Sequence, residues 1–156
     1  MKVELIRVNI QDAENLWKMQ IVAFQDLYAK YQDPETSPAT ETLEKTMTRL
    51  EQPYTYYYYI KVGDCIVGAM RVIDHKEDGK YKFLSPIFIM KEFRGRGYAQ
   101  QAIRLAVKIH GSYGWELDTI LQEKGNCYLY EKMGYKLTGE AKAVNGRMTL
   151  VFYRKD

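Results

Sequence analysis

Residues 87–99 read IFIMKEFRGRGYA, a strand-like run followed by a glycine-rich turn. Its first three residues are apolar and predict the end of a strand. Gly95 and Gly97 then form a turn beside two arginines, and apolar residues at helical spacing follow from Tyr98. Because a helix N-terminus carries unpaired backbone N–H groups and a partial positive charge, this turn is a favourable site for a phosphate group.

A glycine pair alone leaves two interpretations open: a phosphate site, or a plain strand-to-helix connection with two solvated arginines. Two better-known phosphate motifs do not fit. A P-loop needs Lys followed by Ser or Thr after its last glycine, whereas Tyr98 and Ala99 follow Gly97. A dinucleotide fingerprint needs three glycines early in a βαβ unit, and the chain has no such arrangement.

Periodicity outward from this turn predicts one α/β (α+β) domain over residues 1–156. Its elements follow the order β-αα-βββ-α-β-α-ββ, which gives a mixed, mostly antiparallel sheet of about seven strands flanked by about four helices. Strands are expected over residues 2–9, 56–61, 65–74, 81–90 and 115–121, with a final hairpin around residues 145–146. Helices are expected over residues 13–31, 38–51, 98–110 and 127–133, the second capped by Ser37 with Pro38 at its first position.

Composition excludes several classes of protein. The net charge of +3 is too small for a generic nucleic-acid binder, and no stretch is apolar enough to span a bilayer. Cys65 and Cys127 have no metal-binding spacing and form no disulfide framework. Because the N-terminus lacks the apolar core of a signal peptide, a cytoplasmic protein is expected, with no membrane partner.

The glycine-rich stretch is similar to the acetyl-CoA-binding motif of the GNAT N-acetyltransferase superfamily. That motif has Gln or Arg, two residues, Gly, one residue, and then Gly or Ala; Arg94, Gly97 and Ala99 match it in order. A second family hallmark follows at residues 129–135, which read LYEKMGY. The expected element order also resembles the family over nearly the whole chain. The sequence departs from the family pattern at Lys91, where a proline is common.

The resemblance implies acetyl-CoA as the co-substrate and no metal. In this family the pantetheine arm lies between two parallel strands that splay apart, and it pairs with the free backbone of one of them. Here the amide of Ile87 is expected to polarise the thioester carbonyl, and the pyrophosphate is expected on the amides of residues 95–99. Asn126 departs from the family pattern, because many members place their asparagine farther before the tyrosine. The coenzyme-binding residues implied are Ile87, Phe88, Ile89, Arg94, Gly95, Arg96, Gly97, Tyr98, Ala99 and Asn126.

The resemblance also implies a catalytic residue, Tyr130, as the general acid that protonates the departing thiolate. A phenol with an ordinary pKa near 10 is protonated at neutral pH and can donate. The sequence leaves the general base unassigned. Asp74, His75, Glu116 and Asp118 are candidates, but each is also explained as a turn residue, strand cap or ion-pair partner, and a water chain could accept the proton.

The acceptor is expected to be a primary amine of a small molecule or peptide. The tyrosine-rich strand at residues 54–59 should place its rings alternately on the two faces of the sheet, where one or two could line the acceptor site. Acidic residues before this strand favour a cationic acceptor such as a polyamine, or form a solvated helix face. They are Asp26, Asp33, Glu35, Glu41 and Glu44.

Direct transfer from acetyl-CoA in a ternary complex is the function that these residues and the resemblance indicate. One alternative is a non-catalytic module or sensor that binds an acyl-CoA with the same fold. A second is an anion or nucleic-acid binder that uses Arg94, Arg96, Arg104 and Lys108, which the small net charge disfavours. Members of the family often dimerise through strands, so a homodimer is compatible with the sequence.

Overall fold

The computed structural model describes residues 2–156, which form seven strands and four α-helices. The strands are β1 (Val3–Arg7), β2 (Thr55–Val62), β3 (Cys65–Ile73), β4 (Lys82–Ile89), β5 (Trp115–Ile120), β6 (Lys136–Asn145) and β7 (Met148–Lys155). The helices are α1 (Ala13–Tyr31), α2 (Leu43–Glu51), α3 (Tyr98–His110) and α4 (Lys124–Lys132). The element order expected from the sequence is confirmed.

The strands form one sheet in the order β1-β2-β3-β4-β5-β7-β6. Neighbouring strands are antiparallel except β4 and β5, which run parallel. A parallel pair needs a crossover connection, and α3 supplies it. The sheet is therefore mixed but mostly antiparallel, as expected.

Helices cover both faces of the sheet, which makes two apolar cores. On one face α3 lies close to the strands, because the small Ala102 and Ala106 point inward beside Ile103. On the other face Leu16 and Ala23 of α1 pack on the sheet. Burial of the larger side chains, Ile103 and Leu16, contributes roughly 1.5–3 kcal/mol each.

The tyrosine-rich strand β2 supplies rings to both cores. Tyr57 and Tyr59 pack beneath α1, whereas Tyr58 belongs to the core beneath α3. The expected alternation is therefore confirmed, and it also explains why so many large apolar rings occur in one strand: neither face is solvated.

The prediction of one continuous helix over residues 38–51 is wrong in its first half. Ser37 and Pro38 begin a separate 3-10 turn that ends at Thr40, and α2 starts only at Leu43 with Thr42 as its cap. Glu41 between them is extended, and its backbone carbonyl accepts a 2.7 Å hydrogen bond from the indole of Trp17 in α1. Tertiary contacts to α1 thus interrupt a segment that the sequence reads as one helix.

The β6–β7 hairpin turns at residues 145–146 as predicted, and it is attached to the first helix. Asn145 donates to the backbone carbonyl of Tyr31, at the end of α1, over 2.9 Å. Its own Oδ1 accepts from the amide of Arg147 and closes the turn. The bond from Asn145 thus attaches the hairpin, which carries Met148 and Leu150, to the C-terminal end of α1.

Within residues 2–156 no helix is both long and apolar enough to cross a membrane. In the same range no three or more His, Cys, Asp or Glu side chains are grouped so that they could hold a metal ion. Cys65 is exposed and Cys127 is buried, and both are free thiols.

Candidate active site

The parallel strands β4 and β5 separate part-way along their length. They are paired over only three residues each, residues 82–84 with residues 115–117. Beyond this point β4 continues to Ile89 and β5 to Ile120 with no pairing between them. The two strand ends therefore leave an open, V-shaped cleft in the sheet.

A cavity of about 140 Å³ lies in this cleft. Residues 84–87 of β4 and residues 118–120 of β5 form two of its walls. The remaining walls come from α4, from α1 and the loop that follows it, and from β7; they include Asn126, Tyr130, Phe24, Leu27, Asp33, Met148 and Leu150. The cavity thus combines apolar walls with polar side chains, which also include Thr36, Ser37 and Thr119.

The backbone of β4 presents free amides to the cleft. The amide of Met90 donates to Val67 of β3 over 2.7 Å, so Met90 and Phe88 direct their backbone groups toward β3. Because backbone groups alternate along a strand, the N–H groups of Ile87 and Ile89 face the opposite side, where β5 has moved away. These two donors are available to a ligand that lies in the cleft.

The glycine-rich turn connects the end of β4 to α3. Gly95 and Gly97 have φ angles of +78° and +79°, in the left-handed region that favours glycine, and nothing lies within 4 Å of a Cβ placed at either position. Gly97 is also the N-cap of α3 and supplies no side-chain hydrogen bond, so the first amides of the helix have no side-chain cap. An anion can approach these amides closely.

The two arginines of the turn have different surroundings. Arg94 donates from Nε to the carbonyl of Ile89 over 2.7 Å and from Nη2 to the carbonyl of Ala23 over 2.9 Å. Its guanidinium therefore joins β4 to α1, and a phosphate contact for this side chain stays a prediction. Arg96 is exposed, and its guanidinium lies 5.9 Å from the ring of Phe93.

Tyr130 on α4 lines the cavity from the side of α3. Its ring is buried against Tyr135 and Tyr153, with ring centroids 6.2 Å away in both cases. Burial, with a smaller contribution from the nearby carboxylate of Asp118, raises the pKa of the Tyr130 phenol above its usual value. Within residues 2–156 its hydroxyl forms no hydrogen bond, although it lies at the cavity wall. The hydroxyl is therefore protonated at neutral pH and free to donate.

Asp118 on β5 faces the same cavity. Its Oδ1 accepts a 2.8 Å hydrogen bond from Ser85 on β4, across the opening of the cleft. Burial raises the pKa of the Asp118 carboxyl, and the neighbouring Arg71 and Ser85 only partly offset this effect. The cleft thus contains the protonated phenol of Tyr130 and the carboxyl groups of Asp118 and Asp33.

The other candidate bases lie elsewhere. Asp74 accepts a 2.7 Å hydrogen bond from His110, whose other ring nitrogen is 2.8 Å from the hydroxyl of Tyr58. His75 stacks on the ring of Tyr54, with centroids 4.5 Å apart. Glu116 pairs with Arg154 on β7, so its carboxylate is already neutralised. Neither these residues nor the tyrosines of β2 line the cavity of the described chain.

Comparison with known protein families agrees with this geometry. A model of the family described as the acetyltransferase (GNAT) family matches residues 21–135, well over half of the chain. The chain belongs to this family. The match includes the separated strands, the glycine-rich turn and Tyr130. Among curated proteins, a search by sequence finds no match.

Solved acetyltransferase structures resemble this GNAT chain over its whole length. Spermidine N-acetyltransferase from Vibrio cholerae, in complex with CoA and spermine, gives a TM-score of 0.76 at 16% identity, covering 99% of this chain and 95% of that one. The PaiA N-acetyltransferase from Thermoplasma acidophilum, in complex with coenzyme A, gives 0.75 at 15% identity, covering 99% and 100%. An acetyltransferase from Salmonella typhimurium that modifies the N-terminal serine of ribosomal protein L7/L12 gives 0.75 at 14% identity, covering 99% and 95%. The TM-scores show that the fold is shared; at identities this low they show the fold alone.

Of the predicted site residues of this GNAT chain, Ile87, Asn126 in the first turn of α4, and Tyr130 line the cavity. Phe88, Ile89 and the turn at residues 94–99 are not among its walls, and their contact with the coenzyme stays a prediction. Sequence reasoning missed Ser85 and the wall formed by β7. A serine in an apolar strand and two apolar residues in a hairpin carry no signal of their own, because only the separation of β4 from β5 exposes them to a cavity.

Proposed function

We propose that the chain transfers an acetyl group from acetyl-CoA to a primary amine of a small molecule or peptide. The transfer is direct and takes place in a ternary complex. One observation carries the proposal: Ile87 of β4 and Tyr130 of α4 line one cavity where β4 and β5 separate, and β4 leads through the glycine-rich turn to the uncapped N-terminus of α3.

Two features of the structure fit the coenzyme. The amides of Ile87 and Ile89 are oriented to pair with an extended amide chain such as pantetheine, as an added strand would. Gly95 and Gly97 leave open space for a pyrophosphate at the helix N-terminus. Acetyl-CoA supplies the activated acetyl group. Two of the structurally similar acetyltransferases contain coenzyme A in their structures, which supports the same use of the cleft here.

Two groups of the protein act on the reacting atoms in this proposal. The amide of Ile87 donates to the thioester oxygen as negative charge develops there, an effect typically worth about 2.7–4 kcal/mol. The phenol of Tyr130 donates its proton to the departing sulfur. The raised pKa of Tyr130 ensures that the proton is present at neutral pH.

The acceptor enters from the side of α1 and β7. Of the acidic residues that precede β2, Asp33 lines the cavity, whereas Glu41 is held in an ion pair with Arg49 and Asp26 lies 3.6 Å from Lys91. The apolar wall formed by Phe24 and Leu27 suits the carbon chain of an amine. Of the structurally similar enzymes, one is a spermidine N-acetyltransferase and another modifies the N-terminal serine of a ribosomal protein, so both kinds of amine belong in the test.

The test is release of free CoA thiol from acetyl-CoA, with mass spectrometry of the acetylated product. Four acceptors span the expected range: spermidine, kanamycin, lysine and a peptide with an N-terminal serine. We expect thiol release that depends on one of these amines. Binding of acetyl-CoA with no transfer to any amine would instead indicate the non-catalytic acyl-CoA-binding module.

A further inference from the structure

We propose that Asp118 binds the ammonium group of the acceptor and accepts its proton before transfer. This inference rests on the proposed acetyltransferase function and adds the missing base to it. It also names the class of acceptor: an amine that arrives as a cation.

The position of Asp118 carries the inference. Its carboxylate lies in the cavity on β5, and Tyr130 lines the same cavity from α4. The acceptor nitrogen and the leaving sulfur must lie on either side of the thioester carbon, so a base and an acid that border one cavity from different elements suit this reaction. Asp74, His75 and Glu116 are each engaged elsewhere, which leaves Asp118 as the carboxylate of the four candidates that faces the cleft.

The surroundings of Asp118 lack a full counter-charge. Its Oδ1 accepts from Ser85, and its Oδ2 accepts no hydrogen bond from any other residue within 2–156. In that range no Lys or Arg nitrogen comes within 4 Å of the carboxylate. Buried carboxylates are usually paired, because burial without a partner is costly. A cationic acceptor supplies the missing partner.

Several charged or titratable groups face Asp118 from neighbouring elements. Arg71 on β3 donates to the backbone carbonyl of Ser85 over 2.6 Å and lowers the pKa of the carboxyl, although less than burial raises it. Tyr130 faces Asp118 from α4, and Asp33 faces the cavity from the loop after α1. Burial raises the pKa of a carboxyl group and lowers the pKa of an ammonium group. Proton transfer from the ammonium to Asp118 therefore costs less free energy in the cavity than it would in water.

The proton balance of the step is complete. The ammonium gives one proton to Asp118, which later releases it to solvent. The nitrogen lone pair attacks the thioester carbon, forming the C–N bond, and the C–S bond breaks. The sulfur takes the proton of Tyr130, and the second proton lost by the nitrogen restores the phenol. The products are an amide, CoA with a free thiol, and one proton.

The experiment compares Asp118→Asn with Glu116→Gln, which makes the same charge change two residues earlier on the same strand. The acceptor is whichever of spermidine, kanamycin, lysine and the serine peptide wild type acetylates fastest. For Asp118→Asn we expect kcat/KM at pH 7 to fall about 100- to 10,000-fold, with part of the loss recovered at high pH, where the amine is already neutral. Glu116→Gln should match wild type.

Two further measurements separate a chemical role from a structural one. Calorimetry should show unchanged affinity of Asp118→Asn for acetyl-CoA but weaker binding of the same amine to the CoA-saturated protein. Ser85→Ala keeps the carboxylate and removes its hydrogen bond, so the acidic limb of the kcat/KM profile should move to higher pH.

An Asp118→Asn protein that transfers acetyl within threefold of wild type, with the same pH profile and amine affinity, would overturn the inference while leaving the acetyltransferase function intact. An unmoved acidic limb in Ser85→Ala would overturn the assignment of that limb to Asp118. Failure of wild type to acetylate any of the four amines would instead count against the proposed function itself.

Discussion

Replacing Tyr130 with phenylalanine removes one oxygen atom from the wall of the cleft and nothing from the fold. The hydroxyl forms no hydrogen bond within residues 2–156, and the ring keeps its neighbours Tyr135 and Tyr153 at 6.2 Å. Loss of the general acid should lower kcat about ten- to a thousandfold, which corresponds to about 1.4–4 kcal/mol of transition-state stabilisation. The affinity for acetyl-CoA and the free energy of unfolding should barely change.

The chain offers a matched control for this substitution. Tyr135 has a buried hydroxyl with no hydrogen-bond partner in the described residues and packs against Tyr130, but it does not line the cleft cavity. Tyr135→Phe should therefore keep the wild-type kcat. Thiol release at saturating acetyl-CoA and amine, with calorimetric Kd values for both variants, measures the difference. Equal kcat values for wild type and Tyr130→Phe would refute the role of Tyr130.

Two further predictions concern stability. In Gly68→Ala the new Cβ would lie 2.0 Å from the carbonyl oxygen of Phe88, so β4 must shift. Urea unfolding should show that the free energy of unfolding falls by about 1–3 kcal/mol. An unchanged unfolding midpoint would contradict this close approach. Burial lowers the pKa of His110 in the fold, despite the opposing effect of Asp74, so below pH 6.5 the unfolded chain binds more protons. The unfolding free energy should therefore fall as pH drops from about 6.5, by at most about 1.4 kcal/mol per pH unit, and His110→Gln should lose this dependence.

The element order was predictable because each signal is local. The helical spacing of α3, the glycines before it and the turn at residues 145–146 are readable from neighbouring residues alone. The break before α2 was not, because it depends on a hydrogen bond between Glu41 and Trp17, which are 24 residues apart.

The candidate site also has one part that local sequence predicts and one part that depends on distant contacts. The coenzyme half is predicted from a contiguous motif, of which Ile87 lines the cavity of the cleft. The choice among four candidate bases depends on where each strand ends and on which partner neutralises each carboxylate. Glu116 and Asp118 are two residues apart on one strand, yet Glu116 pairs with Arg154 whereas Asp118 faces the cavity. The difference arises because the pairing of β5 with β4 ends at Leu117, the residue between these two carboxylates. No feature of the sequence separates these two carboxylates.

The proposal that the glycine-rich turn holds the pyrophosphate of acetyl-CoA is tested by calorimetric titration of acetyl-CoA into the wild-type protein and into Gly97→Asp. This change puts a carboxylate at the N-terminus of α3, where the pyrophosphate is expected. Gly79→Asp is the control, because Gly79 also has a left-handed φ, +82° against +79°, and open space around its Cβ, but lies in the turn between β3 and β4. We expect acetyl-CoA to bind wild type and Gly79→Asp and not to bind Gly97→Asp. Equal affinity in all three proteins, or no binding to folded wild type, would contradict this expectation.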